Sequence, residues 1–140
     1  MIKIRTAIES DLAALQNIDG AMIEDKSRES FVTRSIQKRE CIVSLSNGRV
    51  VGYAIFNKEF FDRMFIWLLF VSKDSRRIGV GTSLIRYVES QCEASTVLFT
   101  STNQSNIAMQ NMMKKLEFSR TGYVENLDEG DPELFYCKKI

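Results

Sequence analysis

Seven consecutive residues, Phe65-Ile66-Trp67-Leu68-Leu69-Phe70-Val71, are apolar without a break. A strand with one wet face alternates polar and apolar residues, so a short unbroken run predicts a strand covered on both faces. Even extended back to Met64, the run is far too short to cross a bilayer. A sheet whose central strand is hidden on both sides needs helices above and below it. The expected class is therefore α/β with a mixed sheet.

The flanking pattern supplies those elements. Ile2–Arg5 reads as a first strand. Ser10 is placed to cap a helix whose apolar positions are Leu12, Leu15 and Ile18. A second helix is expected over Ser27–Lys38, with Val32 and Ile36 facing inward. Asn47-Gly48 separates two β-rich runs, Glu40–Ser46 and Arg49–Asn57, and such a pair supplies the positive φ angles of a tight hairpin. Val80, Leu84, Val88 and Cys92 recur about one turn apart, predicting a helix over Gly79–Glu93. Thr96–Thr100 is a further strand. Met109, Met112, Met113 and Leu116 fall at helical spacing, and core packing explains that stripe better than a flexible ligand groove does. Ser119–Asn126 and Glu133–Lys139 close the sheet. The predicted order is β-α-α-β-β-β-α-β-α-β-β in one domain spanning residues 1–140.

Composition removes several chemistries. The chain has no histidine, which excludes Ser-His-Asp and Cys-His nucleophiles and most zinc sites, so no metal is expected. Cys41, Cys92 and Cys137 are odd in number, widely spaced and without a C-x-x-C pair. They read as small buried hydrophobes in a reducing compartment. Nineteen basic against eighteen acidic residues leave a net charge of +1, so no overall field draws the chain to nucleic acid or membrane. The N-terminal Met1-Ile2-Lys3-Ile4-Arg5 lacks a secretory pattern, which makes the expected location cytoplasmic.

The main chemical clue follows the apolar strand. Arg76-Arg77-Ile78-Gly79-Val80-Gly81-Thr82 lies between that strand and a good helix. The start of a helix leaves backbone N–H groups unpaired and carries partial positive charge, so it receives anions. Gly79 and Gly81 let a phosphate reach the backbone without meeting a Cβ. Arg76 and Arg77 add charge, and the Thr82 hydroxyl can donate one more bond. The same glycines also suit a plain tight corner. A Walker loop is absent, and a dinucleotide fingerprint would lie near the first strand.

Arg76-x-x-Gly79-x-Gly81, preceded by a strand ending Leu69-Phe70-Val71, resembles the acyl-CoA signature of the GNAT superfamily of N-acetyltransferases. The likeness extends over nearly the whole chain. It includes Ile4-Arg5-x-Ala7 followed by Asp11, the position of the Asn47-Gly48 hairpin, and Asn106 twelve residues before Phe118. The resemblance implies a GNAT-like acyl-CoA N-acyltransferase fold and transfer of acetyl from acetyl-CoA to a primary amine by direct attack in a ternary complex. It implies that Arg76, Arg77, Ile78, Gly79, Val80, Gly81 and Thr82 hold the pyrophosphate. Backbone groups of Leu69 and Val71, flanking Phe70, would meet the pantetheine arm, with Asn106 near the same arm and Lys73, Lys114 and Lys115 available to the 3′-phosphate. The acceptor would be a small-molecule or peptide amine.

The chain departs from that family at two positions. Where a Tyr commonly serves as acid, seven residues after the Asn, this sequence has Met113, and the Gly expected before the last aromatic is Glu117. A left-handed helix stop at Glu117 costs about 1 kcal/mol relative to Gly. Neither Phe65–Val71 nor Thr96–Thr100 carries an ionisable side chain. The candidates for catalysis are then the Val71 amide as oxyanion donor, Glu59 or a carboxylate of the acidic stretch 126–133 as base, and Tyr123 or Tyr136 as acid, either tyrosine being equally readable as a packed strand residue. The acidic stretch 126–133 reads as a solvated turn or as lining for a cationic acceptor. Phe60, Phe61 and Phe65 offer an apolar patch suited to a homodimer, or simply core. A non-catalytic acyl-CoA-binding module and a plain interaction domain are the alternatives.

Overall fold

The Asn47-Gly48 pair turns the chain as its chemistry demands. In the computed structural model, which describes residues Met1–Ile140, φ is +52° at Asn47 and +78° at Gly48, the paired positive values that suit a two-residue hairpin. The first half of the chain forms β1 (Ile2–Thr6), α1 (Leu12–Ile18), α2 (Ala21–Glu24), α3 (Lys26–Gln37), β2 (Cys41–Ser46), β3 (Arg49–Phe60) and β4 (Arg63–Val71). The rest forms α4 (Val80–Gln91), β5 (Val97–Asn103), α5 (Ile107–Lys115), β6 (Ser119–Val124) and β7 (Glu133–Lys139). The strand order is β1-β2-β3-β4-β5-β7-β6. The expected mixed α/β order holds, with one addition, the single-turn α2.

The chain packs as two compact units, Met1–Phe56 with Leu68–Val88, and Asn57–Trp67 with Glu89–Ile140. In the first, Leu15, Met22 and Val32 from the helices and Val43, Tyr53 and Ile55 from the strands are wholly buried together. Leu68 and Phe70 pack on the same cluster. Each such side chain contributes about 1.5–3 kcal/mol by leaving water. Neighbouring strand residues point to opposite faces. Ser44 and Gly52 accordingly lie away from that cluster, toward α4. There the backbone approaches so closely that a Cβ on Gly52 would stand 2.8 Å from Ser44 Oγ, 2.9 Å from the Phe70 carbonyl oxygen and 2.9 Å from Val80 Cγ1. A glycine within a strand marks such an approach.

Two local expectations are corrected at the N-terminus. Ser10 does not cap α1, because a short 3-10 turn over Glu9–Asp11 intervenes. Asp11 precedes α1 without capping it by its side chain: the carboxylate instead accepts from the Ile8 amide at 2.8 Å and from both Arg5 Nη atoms at 2.8 and 3.0 Å. The hydrogen bonds from Arg5 hold the Asp11 carboxyl below its ordinary pKa, against an opposing push from burial. Helix α3 is capped by Asp25, which accepts from the amides of Ser27 and Arg28.

In the second unit, β5 and β7 pair antiparallel over seven register positions, from Val97↔Lys139 to Asn103↔Glu133. The parallel ladder of β4 with β5 consists of Phe65↔Phe99 and Ile66↔Thr100. Thr100 Oγ1 also donates to the Ile66 carbonyl at 3.0 Å. The expectation that the apolar run is covered on both faces throughout is corrected here. Phe65 and Ile66 are buried, Trp67 is 38% exposed, and Leu68–Val71 are only half-buried. The β3–β4 hairpin turns through Phe61 and Asp62, at φ +49° and +60°. Phe60 sits among Phe65, Trp67, Phe99 and Phe135 with ring centroids 4.5–6.4 Å away. Phe65 is core, so of the expected apolar patch Phe61 alone stands well exposed.

Helix α5 buries Met113 completely and ends in a left-handed residue, Glu117, at φ +67°. The Phe118 amide donates to the Met113 carbonyl at 2.9 Å and the Glu117 amide to Lys114 at 3.1 Å, the pair of bonds that defines a Schellman stop. The usual glycine geometry is thus kept by a glutamate.

Three consequences are measurable by urea unfolding. Glu117→Gly relieves the left-handed strain and raises stability by about 1 kcal/mol, seen as a higher midpoint at unchanged slope. Gly52→Ala forces a Cβ against a backbone oxygen and costs about 1–3 kcal/mol. Asp11 has a lowered folded-state pKa, so its stabilisation is full above the unfolded value near 4 and is lost as pH falls through the folded value. Asp11→Asn costs about 1–2 kcal/mol at pH 7, because Arg5 is partly exposed. That difference shrinks below about pH 4.

Candidate functional site

The turn from β4 into α4 is built by alternating backbone hand. The Ser72 amide donates to the Val51 carbonyl at 2.8 Å, anchoring the strand end to β3, and the Ser75 amide closes back on Ser72 at 3.0 Å. Ser75 is buried beneath the loop. Arg76 is extended, Arg77 is left-handed at φ +72°, and Gly79 is left-handed at φ +87°. Alternation of left-handed with ordinary backbone is the kind of conformation from which anion nests are built.

Helix α4 begins at Val80, and its first internal bond runs from the Ser83 amide to the Gly79 carbonyl at 2.9 Å. The amides of Val80, Gly81 and Thr82 precede that bond, so no earlier turn of the helix can pair them. Gly79 is exposed, and nothing stands within 4 Å of where its Cβ would be. Gly81 is buried. The two glycines therefore do different jobs: Gly79 supplies backbone hand, and Gly81 lies at the packed side of the first turn. Arg76, Arg77 and Ile78 are exposed around the amides. Leu69, Phe70 and Val71 end β4 half-buried. The arrangement is a helix start whose first amides have no earlier turn to pair them, with two exposed arginines just before it, suited to a diphosphate in charge.

The remaining sequence candidates belong to the second unit. Asn106 caps α5, its Oδ1 accepting from the Met109 amide at 3.1 Å, which leaves its Nδ2 group for another partner. Glu59 accepts from Asn57 Nδ2 at 2.9 Å, and Asn57 Oδ1 in turn receives the Trp67 indole N–H at 2.7 Å. Tyr136 is 7% exposed on β7, whereas Tyr123 on the outer strand β6 is 61% exposed. Met113 lies in the core. The acidic stretch is stitched to the end of β5: Asp131 accepts from the Ser105 amide and hydroxyl at 3.0 and 2.6 Å, and Asp128 from Asn103 at 2.8 Å. Cys41 is buried, with its thiol pushed up to about 12 by burial, while Cys92 and Cys137 are half-buried rather than fully enclosed. All three are free thiols.

Sequence reasoning passed over a charged cluster on the inner face of β4. Asp19, only 2% exposed, accepts from Arg28 Nε at 2.7 Å and from the Tyr53 hydroxyl at 2.8 Å. Tyr53 stacks on Phe70 at 5.6 Å between centroids, and the Arg28 guanidinium lies 4.7 Å above the same ring. Burial and then the bond to Asp19 raise the Tyr53 pKa far above its ordinary value, so the phenol stays protonated and donating. The local signal was an aspartate ending α1 nine residues before an arginine, too common a spacing to notice. A groove of about 700 Å³ also borders the strand end, between Asn17, the Asn47–Arg49 hairpin and the Ser72–Ser75 loop.

The Acetyltransferase (GNAT) family model matches residues 11–118. A GNAT-family acetyltransferase of Bacillus cereus superposes with a TM-score of 0.89 at 35% identity, covering 99% of this chain and 97% of the other. Arabidopsis thaliana Naa50, solved with the bisubstrate analogue CoA-Ac-MVNAL, has the same fold at 18% identity and a TM-score of 0.80, with 99% of each chain covered. Salmonella typhimurium yncA, solved with acetyl-CoA, matches at 18% identity and a TM-score of 0.75, covering 99% of this chain and 94% of that one. No curated protein matches the chain by sequence. The family match and the Bacillus cereus likeness over nearly the full length agree with the strand order and with the turn after β4, and the chain belongs to the GNAT family of acetyltransferases.

Proposed function

We propose that the chain binds acetyl-CoA at the β4–α4 turn and transfers the acetyl group to a primary amine. The observation that carries this reading is the start of α4, whose first amides no earlier helical turn can pair, preceded by a left-handed Gly79 and two exposed arginines and following the half-buried strand end Leu69–Val71. That surface fits a diphosphate followed by a polar, extended arm. The Val80, Gly81 and Thr82 amides receive the pyrophosphate oxygens, and Arg76 and Arg77 neutralise them. Backbone groups of Leu69 and Val71 hold the arm. The crystal structures of Naa50 with a CoA analogue and of yncA with acetyl-CoA support the same ligand class.

Acetyl-CoA supplies an activated thioester, so the protein's work is mainly positioning. An amine attacks once it has lost its proton, and the carbonyl oxygen gathers negative charge, for which the Val71 amide is the assigned donor. Glu59 is the assigned base, although its carboxylate is also held by Asn57. Tyr136 and Tyr123 are the side chains available to protonate the departing thiolate, a step that a CoA thiol tolerates losing. Met113 cannot do so. Its complete burial supports a second reading, a module that binds acetyl-CoA without turnover.

Thermal melting with acetyl-CoA separates these readings when paired with release of free thiol in the presence of amines. The first predicts a rise in Tm and thiol release with at least one class among amino acids, polyamines, aminoglycosides and peptide N-termini. The second predicts the rise alone. The double variant Arg76→Glu/Arg77→Glu alters only exposed side chains and should keep the unliganded Tm. It should weaken acetyl-CoA by about tenfold or more. Unchanged affinity in that variant contradicts the placement of the diphosphate.

A further inference from the structure

The cluster on the inner face of β4 is more than a way to neutralise Asp19. Arg28 spends only its Nε on the aspartate, at 2.7 Å. Its guanidinium plane is fixed twice, by that bond and by its seat over Phe70. The side chain is 25% exposed, against 2% for Asp19. Neither Nη atom has a hydrogen-bond partner within the chain, and they belong to a partly exposed group whose orientation is already set. A guanidinium with Nε occupied still offers paired Nη donors in one plane, the arrangement that grips a carboxylate. Had neutralising Asp19 been the sole purpose, a side-on pairing using two nitrogens would serve better than a single contact.

Position adds the second argument. Phe70, the ring beneath Arg28, lies between Leu69 and Val71, the two residues to which the proposed function assigns the acyl donor. Phe70 and Leu68 face the α1–α3 layer, so Arg28 stands on the helix-covered face of that same strand. Tyr53 locks the arrangement from below, stacking on Phe70 and donating to Asp19.

We infer that Arg28 is the specificity-determining residue for the acceptor, binding a carboxylate on the amine that receives the acetyl group. The inference rests on the proposed function and narrows it: the acceptor class is an amino acid or another amine bearing a carboxylate, in preference to a polyamine or an uncharged amine. Asp19, Tyr53 and Phe70 are positioning residues that act through Arg28.

Matched acceptors test this without knowledge of the natural one. The common α-amino acids, β-alanine and 4-aminobutyrate are each compared with their carboxamides, with thiol release as the readout. The best carboxylate acceptor should exceed its amide by about tenfold or more in kcat/KM. Arg28→Gln alone strands a buried carboxylate and threatens folding, so the working variant is Asp19→Asn/Arg28→Gln, with Arg28→Lys as the charge-conserving control. The double variant should bring carboxylate and amide within about twofold of each other, through acceptor KM, while the KM for acetyl-CoA stays unchanged. Arg28→Lys should recover part of the preference. Equal use of acid and amide by the wild type, a preference that survives in the double variant, or acetyl-CoA stabilisation with no carboxylate acceptor turned over would each overturn the inference. Absence of any acetyl-CoA stabilisation in the wild type would instead remove the proposed function on which it rests.

Discussion

The close approach at Gly52 governs the rest of the first unit. Three neighbours, Ser44 Oγ, the Phe70 carbonyl and Val80 Cγ1, crowd the point where a Cβ would be. Only a glycine lets the first residue of α4 sit that near to the strands. A helix start is an effective anion site only when its amides are fixed, since their partial charge acts over about one turn. Packing at Gly52 fixes them. The left-handed residues Arg77 and Gly79 then bring the chain round into the helix. The anion surface is thus a product of core packing below and of backbone hand above, and neither alone would make it.

The opposite face of the same strands carries a polar constraint of comparable strength. Asp19 is buried, and a buried charge without partners costs several kcal/mol. Its two partners come from α3 and from the middle of β3, and the ring of Phe70 fills the space beside them. The α1–α3 layer is thereby tied to β4 by directional bonds as well as by apolar contact. Apolar packing tolerates sliding, whereas this cluster does not. A strand held by Gly52 on one face and by Asp19, Tyr53 and Arg28 on the other has little freedom to shift, which is what a reaction controlled by positioning requires.

Much of this architecture is legible in the sequence because it is written locally. Asn47-Gly48 dictates its hairpin through φ alone, and the spacing of Val80, Leu84 and Val88 gives α4. The apolar run identifies β4, and the Arg76–Gly81 pattern identifies the turn. What the sequence hides depends on partners far apart in the chain. Asp19 and Tyr53 are 34 positions apart, and nothing near either predicts the other. Helix α2 is a single turn without a periodic signal. Ser10 resembled a cap because Asp11 gave no sign that Arg5 would claim its carboxylate. The Phe61-Asp62 hairpin turn places a phenylalanine at positive φ, which such a residue rarely accepts, so the flanking strands force it. Gly52 was detectable, since glycine inside a strand implies a close neighbour, although not which one. Half-burial at the end of β4 was obscured because unbroken apolarity does not say how completely each face is covered.

The central claim is that the backbone amides opening α4 receive a diphosphate while the end of β4 receives the arm attached to it. Amide-resolved nuclear magnetic resonance during titration with acetyl-CoA addresses that claim directly. The account predicts the largest shifts at Gly79, Val80, Gly81 and Thr82, with a second set at Leu69 and Val71, saturating together. Shifts confined to other surfaces, or a saturated spectrum in which those four amides have not moved, would contradict it.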